Sequence, residues 1–581
     1  MLVFALKEVS AMRVPQAVLG AVLAVGVCYA VGPKVSPEFE SVEQEARVDV
    51  IVQFRQAPTE AHHSRIAALG GELRHELDFI RAAHYSISRS QLDNLANDPD
   101  VEFISPDHAV FSSANVAPYS GSPDYGWRTV GADLATSVFG VDGRGIGIAV
   151  IDSGVDNSQD LNQRVVYRAS LVDSNPGDSY GHGNHVAGIL AGNGSMSAGS
   201  QSTYLVRGIA PNANIISLKA LNSQGVGTDS AVIAAIQQAI LLKSQYNIRV
   251  INLSLGRPVT KSYATDPLCL AVKQAWLSGI VVVVAAGNDG RDNSQGTNGY
   301  GTITAPGNSP YVITVGAMNT EGTLSPVDDK ITSYTSKGPS AIDHIVKPDL
   351  VAPGNRIISL YHGTSWLDAT YPQNVVAKSV YSTQSSVAAP SYFVISGTSM
   401  ATPMVAGAAA LMIEKNPALT PDQVKARLMK SASKFAPGYS YAKDPVTGVT
   451  YASEYDVFTI GAGYLNIPAA LSNGDVFNGL ALSPAVTFNS ANQTVTLQPN
   501  ALLAVWGTSG SPVWGNLAVW GSSAFVNGSM AVWGTGAVWG TMAIWGSSSP
   551  QAVMAVWGSM AVWGTGQTAG EAAGLAIYGD K

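Results

Sequence analysis

The sequence predicts an α/β protein built around a doubly wound, mostly parallel sheet with helices on both faces, preceded by a small α+β domain and followed by a β-rich tail. Three observations carry this. Over residues 126–472, unbroken runs rich in Val and Ile alternate with segments of helical length. Over residues 47–111, shorter runs that alternate apolar and polar residues are separated by two helical stretches. Beyond residue 473 charge almost vanishes and a Val/Ile-Trp-Gly triplet recurs. A strand buried on both faces reads as a continuous apolar run, so the first pattern marks a covered parallel sheet.

The chain starts with Lys7 and Arg13 ahead of an uncharged apolar stretch, 14–31. That order predicts a signal peptide or N-terminal anchor over residues 1–32, and therefore a secreted or cell-surface location. Pro15 and the glycines disfavour a spanning helix. Cys28 lies inside this stretch and Cys269 is the only other cysteine, so no disulfide framework holds the fold, and Cys269 is expected to be a small buried thiol. With 581 residues, 46% of them hydrophobic and 13% charged, the chain can build a large core. A net charge of −8 and the lack of a long basic run exclude nucleic acid as an evident partner.

The 47–111 unit opens with an alternating strand (Val48, Val50, Val52), followed by a helix over 59–69 and a Gly70-Gly71 turn. A second pair of strands, a helix over 90–96 and a closing strand over 101–104 complete it. Residues 112–125 are rich in Ser, Gly, Pro and Ala, as an exposed and cleavable linker requires. Within 126–472 the clearest strands are 146–151, 215–219, 250–253, 280–286 and 312–315. Residues 473–501 read as a second linker. Over 502–581 Trp506, Trp514, Trp520, Trp533, Trp539, Trp545, Trp557 and Trp563 mark a degenerate hexapeptide-like repeat. Unburied, so many indoles would form an adhesive surface suited to attachment or self-association.

Four local motifs carry chemistry. In Ile148-Ala149-Val150-Ile151-Asp152-Ser153-Gly154 a buried strand ends at a carboxylate, and functional groups collect at the carboxyl ends of strands in open α/β sheets. In Gly181-His182-Gly183-Asn184-His185-Val186-Ala187-Gly188 a helix of small residues begins at an imidazole. Its two histidines stand three apart with no acid between them, unlike the zinc-binding His-Glu-x-x-His pattern. In Ser396-Gly397-Thr398-Ser399-Met400 a serine opens an apolar helix, where free N–H groups and the helix dipole suit a developing oxyanion. In Val284-Ala285-Ala286-Gly287-Asn288 a strand delivers an amide to the sheet edge. Each motif alone has a plain structural explanation, a turn or a helix cap. Their coexistence is what points to nucleophilic catalysis, because an alcohol needs a base to attack at neutral pH.

Together these motifs resemble the subtilisin-like serine proteases, the subtilases, over about residues 47–470. The resemblance implies Asp152 as orienting acid, His182 as general base and acid, Ser399 as nucleophile and Asn288 as oxyanion donor. It also implies His185 as a non-catalytic histidine, with Ser254, Leu255 and Gly256 on one edge of the substrate cleft and Gly225, Val226 and Gly227 on the other. A substrate chain would pair between them as an added strand. The 47–111 unit then corresponds to a propeptide that assists folding and inhibits the enzyme, with autoprocessing inside 112–125. Asn184 stands where the family usually has Thr, and 361–394 is an insertion expected at the surface near the site. No cofactor is required for the chemistry. The resemblance allows a structural calcium with Asp160 as a candidate ligand, although 192–204 lacks the usual ligand run. The expected activity is that of a secreted serine endopeptidase made as an autoprocessing zymogen and acting on proteins or peptides. The uncharged surroundings of Ala305-Pro306-Gly307 favour uncharged side chains before the cut.

Two other readings compete. Gly143, Gly145 and Gly147 suggest a dinucleotide site, but they precede their strand and so cannot cradle a pyrophosphate at a helix start. A surface-binding protein, in which the Trp repeats are the main functional element, is the second.

Overall fold

The computed structural model describes residues 34–112, 124–294, 296–383, 391–433, 439–445, 447–489, 494–497 and 529–531. The N-terminal apolar stretch and the tryptophans of the repeat tail lie outside the described residues. Among the described residues no helix is long and apolar enough to cross a membrane.

The N-terminal unit is an antiparallel sheet of β1 (Arg47–Phe54), β2 (Glu72–Leu77), β3 (Ala82–Ser88) and β4 (Val101–Pro106), in the order β2-β3-β1-β4. The helices Glu60–Ala68 and Leu92–Ala96 link the strands. The unit begins earlier than its strand pattern suggests: Val35 bridges to Ile104 and Phe39 is buried among Val50, Val52 and Tyr85. Phe39 is a lone aromatic in a short 3-10 turn, a feature without periodicity to announce it.

After β5 (Ala109–Ser112), the large sheet gathers β6 (Gly147–Asp152), β7 (Val165–Ser170), β8 (Asn214–Lys219), β10 (Ile248–Leu253), β12 (Val281–Ala285), β13 (Ile313–Asn319), β14 (Lys330–Ile331) and β15 (Leu350–Pro353). Its order is β7-β8-β6-β10-β12-β13, with both β14 and β15 pairing with β13. All pairs are parallel except β13 with β14. Every residue of β6, β12 and β13 is buried, which demands cover on both faces. The cover comes from two packed helix pairs, His182–Ala191 with Thr398–Lys415 and Asp229–Leu241 with Pro267–Leu277. Each helix of the second pair starts at a side-chain cap: Thr228 accepts from Ala231 N, and Asp266 accepts from Leu268 N and Cys269 N. Cys269 is a buried free thiol.

Two boundaries differ from the sequence expectation. Residue 472 does not end the packed domain. Phe477, Ala481 and Ser483 are buried, and Ser483 Oγ donates to Asp349 Oδ1 at 2.6 Å. No helix or strand lies between Ser472 and Val486, so no periodic element announces the packing. The 361–394 insertion is also not a simple surface excursion. Its end belongs to β17 (Tyr392–Ile395), which pairs with β16 (Ile357–Leu360), and Val376, Tyr381 and Tyr392 are buried.

Candidate active site

β6 carries Asp152 to the carboxyl end of the sheet, where the chain turns sharply through Gly154 at φ 110°. The helix His182–Ala191 starts directly against this turn. A Cβ on Gly183 would collide with the carbonyl oxygen of Gly154, so glycine is what allows the approach. The approach joins His182 Nδ1 to Asp152 Oδ1 at 2.7 Å, with both side chains fully buried. A carboxylate can only accept, so Nδ1 carries the proton and Nε2 is left as the basic nitrogen. Nε2 has no hydrogen-bond partner among the described residues.

Ser399 is the second residue of the helix Thr398–Lys415, which packs against the His182 helix. Gly397 precedes it at φ 150°. Ser399 Oγ donates to the carbonyl oxygen of Ser254 at 2.9 Å, and Ser254 Oγ donates to the carbonyl oxygen of Ser399 at 2.9 Å. In this structure the Ser399 hydroxyl is thus held by Ser254 and not by His182. Asn288 is pinned from the same helix: its Oδ1 accepts from Thr398 N at 3.0 Å and from Thr398 Oγ1 at 3.1 Å. A backbone N–H can only donate, so the amide oxygen is fixed there and the NH₂ group is left for another acceptor.

The two cleft edges are occupied. β9 (Val226–Thr228) and β11 (Leu255–Gly256) flank β5 in a three-stranded antiparallel sheet. Phe111 lies opposite both Val226 and Gly256, Val110 opposite Gly227, and Ser112 opposite Leu255. Gly225 adds a carbonyl that accepts from Ser112 N at 3.1 Å. The end of the N-terminal unit therefore sits where an added peptide strand would pair, joined through main-chain bonds that carry no side-chain information.

Sequence patterns did not single out Asp178, Ser153 or Tyr180. Asp178 accepts from Gly181 N (2.7 Å), Asn184 N (2.8 Å) and Ser153 Oγ (2.8 Å), and Ser153 Oγ accepts in turn from Gly183 N. One carboxylate thus caps the His182 helix and ties it to the residue after Asp152. Burial raises the Asp178 carboxyl to about 6, against the donors that favour its charged form. The signal was an Asp three residues before the Gly that caps a helix. Asn184, in the place of the family's Thr, takes a local bond instead: its Oδ1 accepts from Asp156 N at 2.8 Å. His185 lies outside the chemistry. Its Nε2 faces the carbonyls of Ile357 and Phe393, each at 3.1 Å, and burial lowers it to about 3, so it stays neutral.

Asp160 does not fit a calcium ion. Its Oδ1 accepts from Ser195 Oγ (3.0 Å) and Met196 N (2.7 Å), and its Oδ2 from the Tyr392 hydroxyl (2.7 Å). Both oxygens that would bind a cation are taken by donors, one of them supplied by the insertion. No group of three or more acidic, His or Cys side chains is arranged for a metal among the described residues.

The subtilase family model matches residues 143–463. The serine protease AprX of Bacillus subtilis (strain 168) is 40% identical over 304 residues, 50% of this chain and 62% of AprX, less than two thirds of its length. Subtilisin E of the same organism is 32% identical over 399 residues, 68% of this chain and 87% of subtilisin E. The crystal structure of fervidolysin from Fervidobacterium pennivorans, described as a keratinolytic enzyme related to subtilisin, shares the fold with a TM-score of 0.54 at 20% identity, over 78% of this chain and 65% of that one. These matches do not favour a non-catalytic surface-binding protein. On the matched core and the relatives that share it, the chain belongs to the subtilase family, the subtilisin-like serine proteases.

Proposed function

We propose that the chain is a secreted serine endopeptidase made as an autoprocessing zymogen, which cuts proteins or peptides through Asp152, His182 and Ser399. The observation that carries this reading is the seating of β5 between β9 and β11, beside the Asp152–His182 pair. A chain held there presents the bond one residue beyond its paired strand to Ser399. For reaction, the Ser399 hydroxyl turns from Ser254 O to His182 Nε2, which accepts its proton as Oγ adds to the scissile carbonyl carbon. Asp152 keeps its charge, orients the ring and stabilises the imidazolium. The NH₂ of Asn288 and the Ser399 N–H receive the negative charge that forms on the carbonyl oxygen. His182 then gives the proton to the leaving amine, the C–N bond breaks, and water hydrolyses the acyl-enzyme by the same steps.

By the same reading the N-terminal unit is a propeptide that inhibits the site until it is cut from the catalytic domain, between Ser112 and Asp124. The basic-then-apolar N-terminus supports export, and the Trp repeats support attachment to a surface or self-association. The test is expression of the full chain beside Ser399→Ala in a host lacking other proteases. The wild type is expected to shorten itself at a bond between these two residues while Ser399→Ala stays whole. Equal processing of both would refute the reading.

A further inference from the structure

One wall of the cleft belongs neither to the triad nor to the edge strands. Tyr180, two residues before His182, has its ring centroid 6.4 Å from the His182 ring and its hydroxyl 3.4 Å from Ser112 Oγ. A Cβ added to Gly225 would stand 2.5 Å from the Tyr180 ring and 2.9 Å from Ser112 Oγ, so ring, glycine and bound strand meet at one point. Gly225 has φ 73°, a conformation that also favours glycine. Trp366, from the insertion, stacks on Tyr180 with centroids 5.6 Å apart and planes at 23°, while Tyr371 meets Trp366 edge-on at 6.1 Å. Backbone bonds hold the stack: Trp366 N donates to Ser179 O and Leu367 N to Tyr180 O, both at 3.0 Å.

The register identifies the substrate position that this wall serves. Ser112 lies opposite Leu255 in an antiparallel pair. The following position on a bound chain falls opposite Ser254, whose carbonyl holds the Ser399 hydroxyl. The residue in the place of Ser112 is therefore the second before the attacked bond. A serine is a small polar occupant for an aromatic wall, and an apolar side chain there would remove more ring surface from water.

We propose that Tyr180 is a specificity-determining residue that favours an apolar or aromatic side chain at the second position before the cut, with Trp366 as the positioning residue that fixes its ring. This rests on the endopeptidase reading and adds a substrate class to it.

The experiment uses the enzyme that the full chain yields by self-processing and peptides that differ only in carrying Ser, Ala, Leu or Phe at that position, with the cut located by mass spectrometry. Leu and Phe are expected to exceed Ser about tenfold in kcat/KM. Tyr180→Phe is expected to keep this ratio, Tyr180→Ala to bring it within about twofold of unity, and Trp366→Ala to lower it part of the way. A ratio compares two substrates on one enzyme preparation, so loss of folded protein cancels. A flat wild-type profile, or a ratio unchanged in Tyr180→Ala, would overturn the proposal. Should Tyr180→Ala fail to fold, an undiminished ratio in Trp366→Ala would overturn the positioning role, and loss of the ratio in Tyr180→Phe would overturn the ring as its source. A wild type that cuts none of the peptides would sink the endopeptidase reading itself.

Discussion

Ser399 and Ser254 exchange two hydrogen bonds, each residue's hydroxyl donating to the other's carbonyl oxygen at 2.9 Å. The exchange fixes the start of the Thr398–Lys415 helix to the residue before β11, which pairs with β5. Asn252 Nδ2 adds a donor to Ser254 Oγ at 3.0 Å, so the clasp extends from a buried residue of β10. Ser254→Ala removes the bond from Asn252 and, of the two exchanged with Ser399, only the one to the Ser399 carbonyl, and it leaves the carbonyl that holds Ser399 Oγ. With a net value of about 1 kcal/mol for such a bond, kcat is expected to fall about five- to tenfold, with KM nearly unchanged. Stopped-flow and steady-state kinetics on one peptide would measure this, and a KM effect alone would contradict it.

Asn288 has its amide oxygen fixed by Thr398, which leaves the NH₂ group to donate to the oxyanion that the proposed mechanism forms. Asn288→Ala is expected to lower kcat by about 10²- to 10³-fold with little change in KM, the size known for the equivalent donor in subtilisin and borrowed from it. A tenfold rise in KM at constant kcat would instead assign Asn288 to ground-state binding.

Asp160 receives the Tyr392 hydroxyl at 2.7 Å inside the protein. Tyr392→Phe leaves the carboxylate one donor short and is expected to cost about 1–3 kcal/mol in denaturant unfolding of the Ser399→Ala background. Added calcium should not restore this loss. Full rescue by calcium would show that Asp160 takes up a cation once Tyr392 lets go.

His108 joins the N-terminal unit to the catalytic domain, with Nδ1 3.2 Å from Asp229 and Nε2 2.7 Å from Glu38. Arg257 grips Asp229 and Asp266 from the other side. Burial opposes the charged ring, but the two carboxylates outweigh it and raise His108 to about 9. A base raised in the folded state stabilises fully below its unfolded value near 6.5, and the contribution is lost as pH climbs through about 9. The Ser399→Ala protein is thus expected to lose up to about 3 kcal/mol between pH 6.5 and 9.5 relative to its His108→Gln derivative. Asp107, raised by burial to about 6, titrates below this window. Lys261, lowered by burial, is common to both proteins and cancels in the difference. Parallel pH profiles for the two would contradict the assignment.

The parts of the fold legible in the sequence were those with a periodic or unbroken apolar signature. Val281–Ala285 and Gly147–Asp152 are buried strands, as their runs of Val and Ile imply. The packing of Phe477 and Ser483 past residue 472 was not legible, because it depends on single contacts in a stretch without helix or strand. In the site, Asp152 and His182 were visible as strand-end and helix-start residues, and the structure brings them together. Asp178 and Tyr180 were missed because their roles depend on partners distant in the sequence: Ser153 for one, Gly225 and Trp366 for the other. Asp160 was misread since its partner Tyr392 is 232 residues away and belongs to an insertion without a pattern of its own.

The relay itself is tested most directly by mass spectrometry after treatment with a fluorophosphonate, which labels a serine only when a base has activated it. The expected result is one phosphonyl adduct on the peptide containing Ser399, lost in His182→Ala and strongly slowed in Asp152→Asn. No adduct on folded and processed wild type, an adduct on another serine, or labelling of Ser399 that is indifferent to His182 would contradict the account.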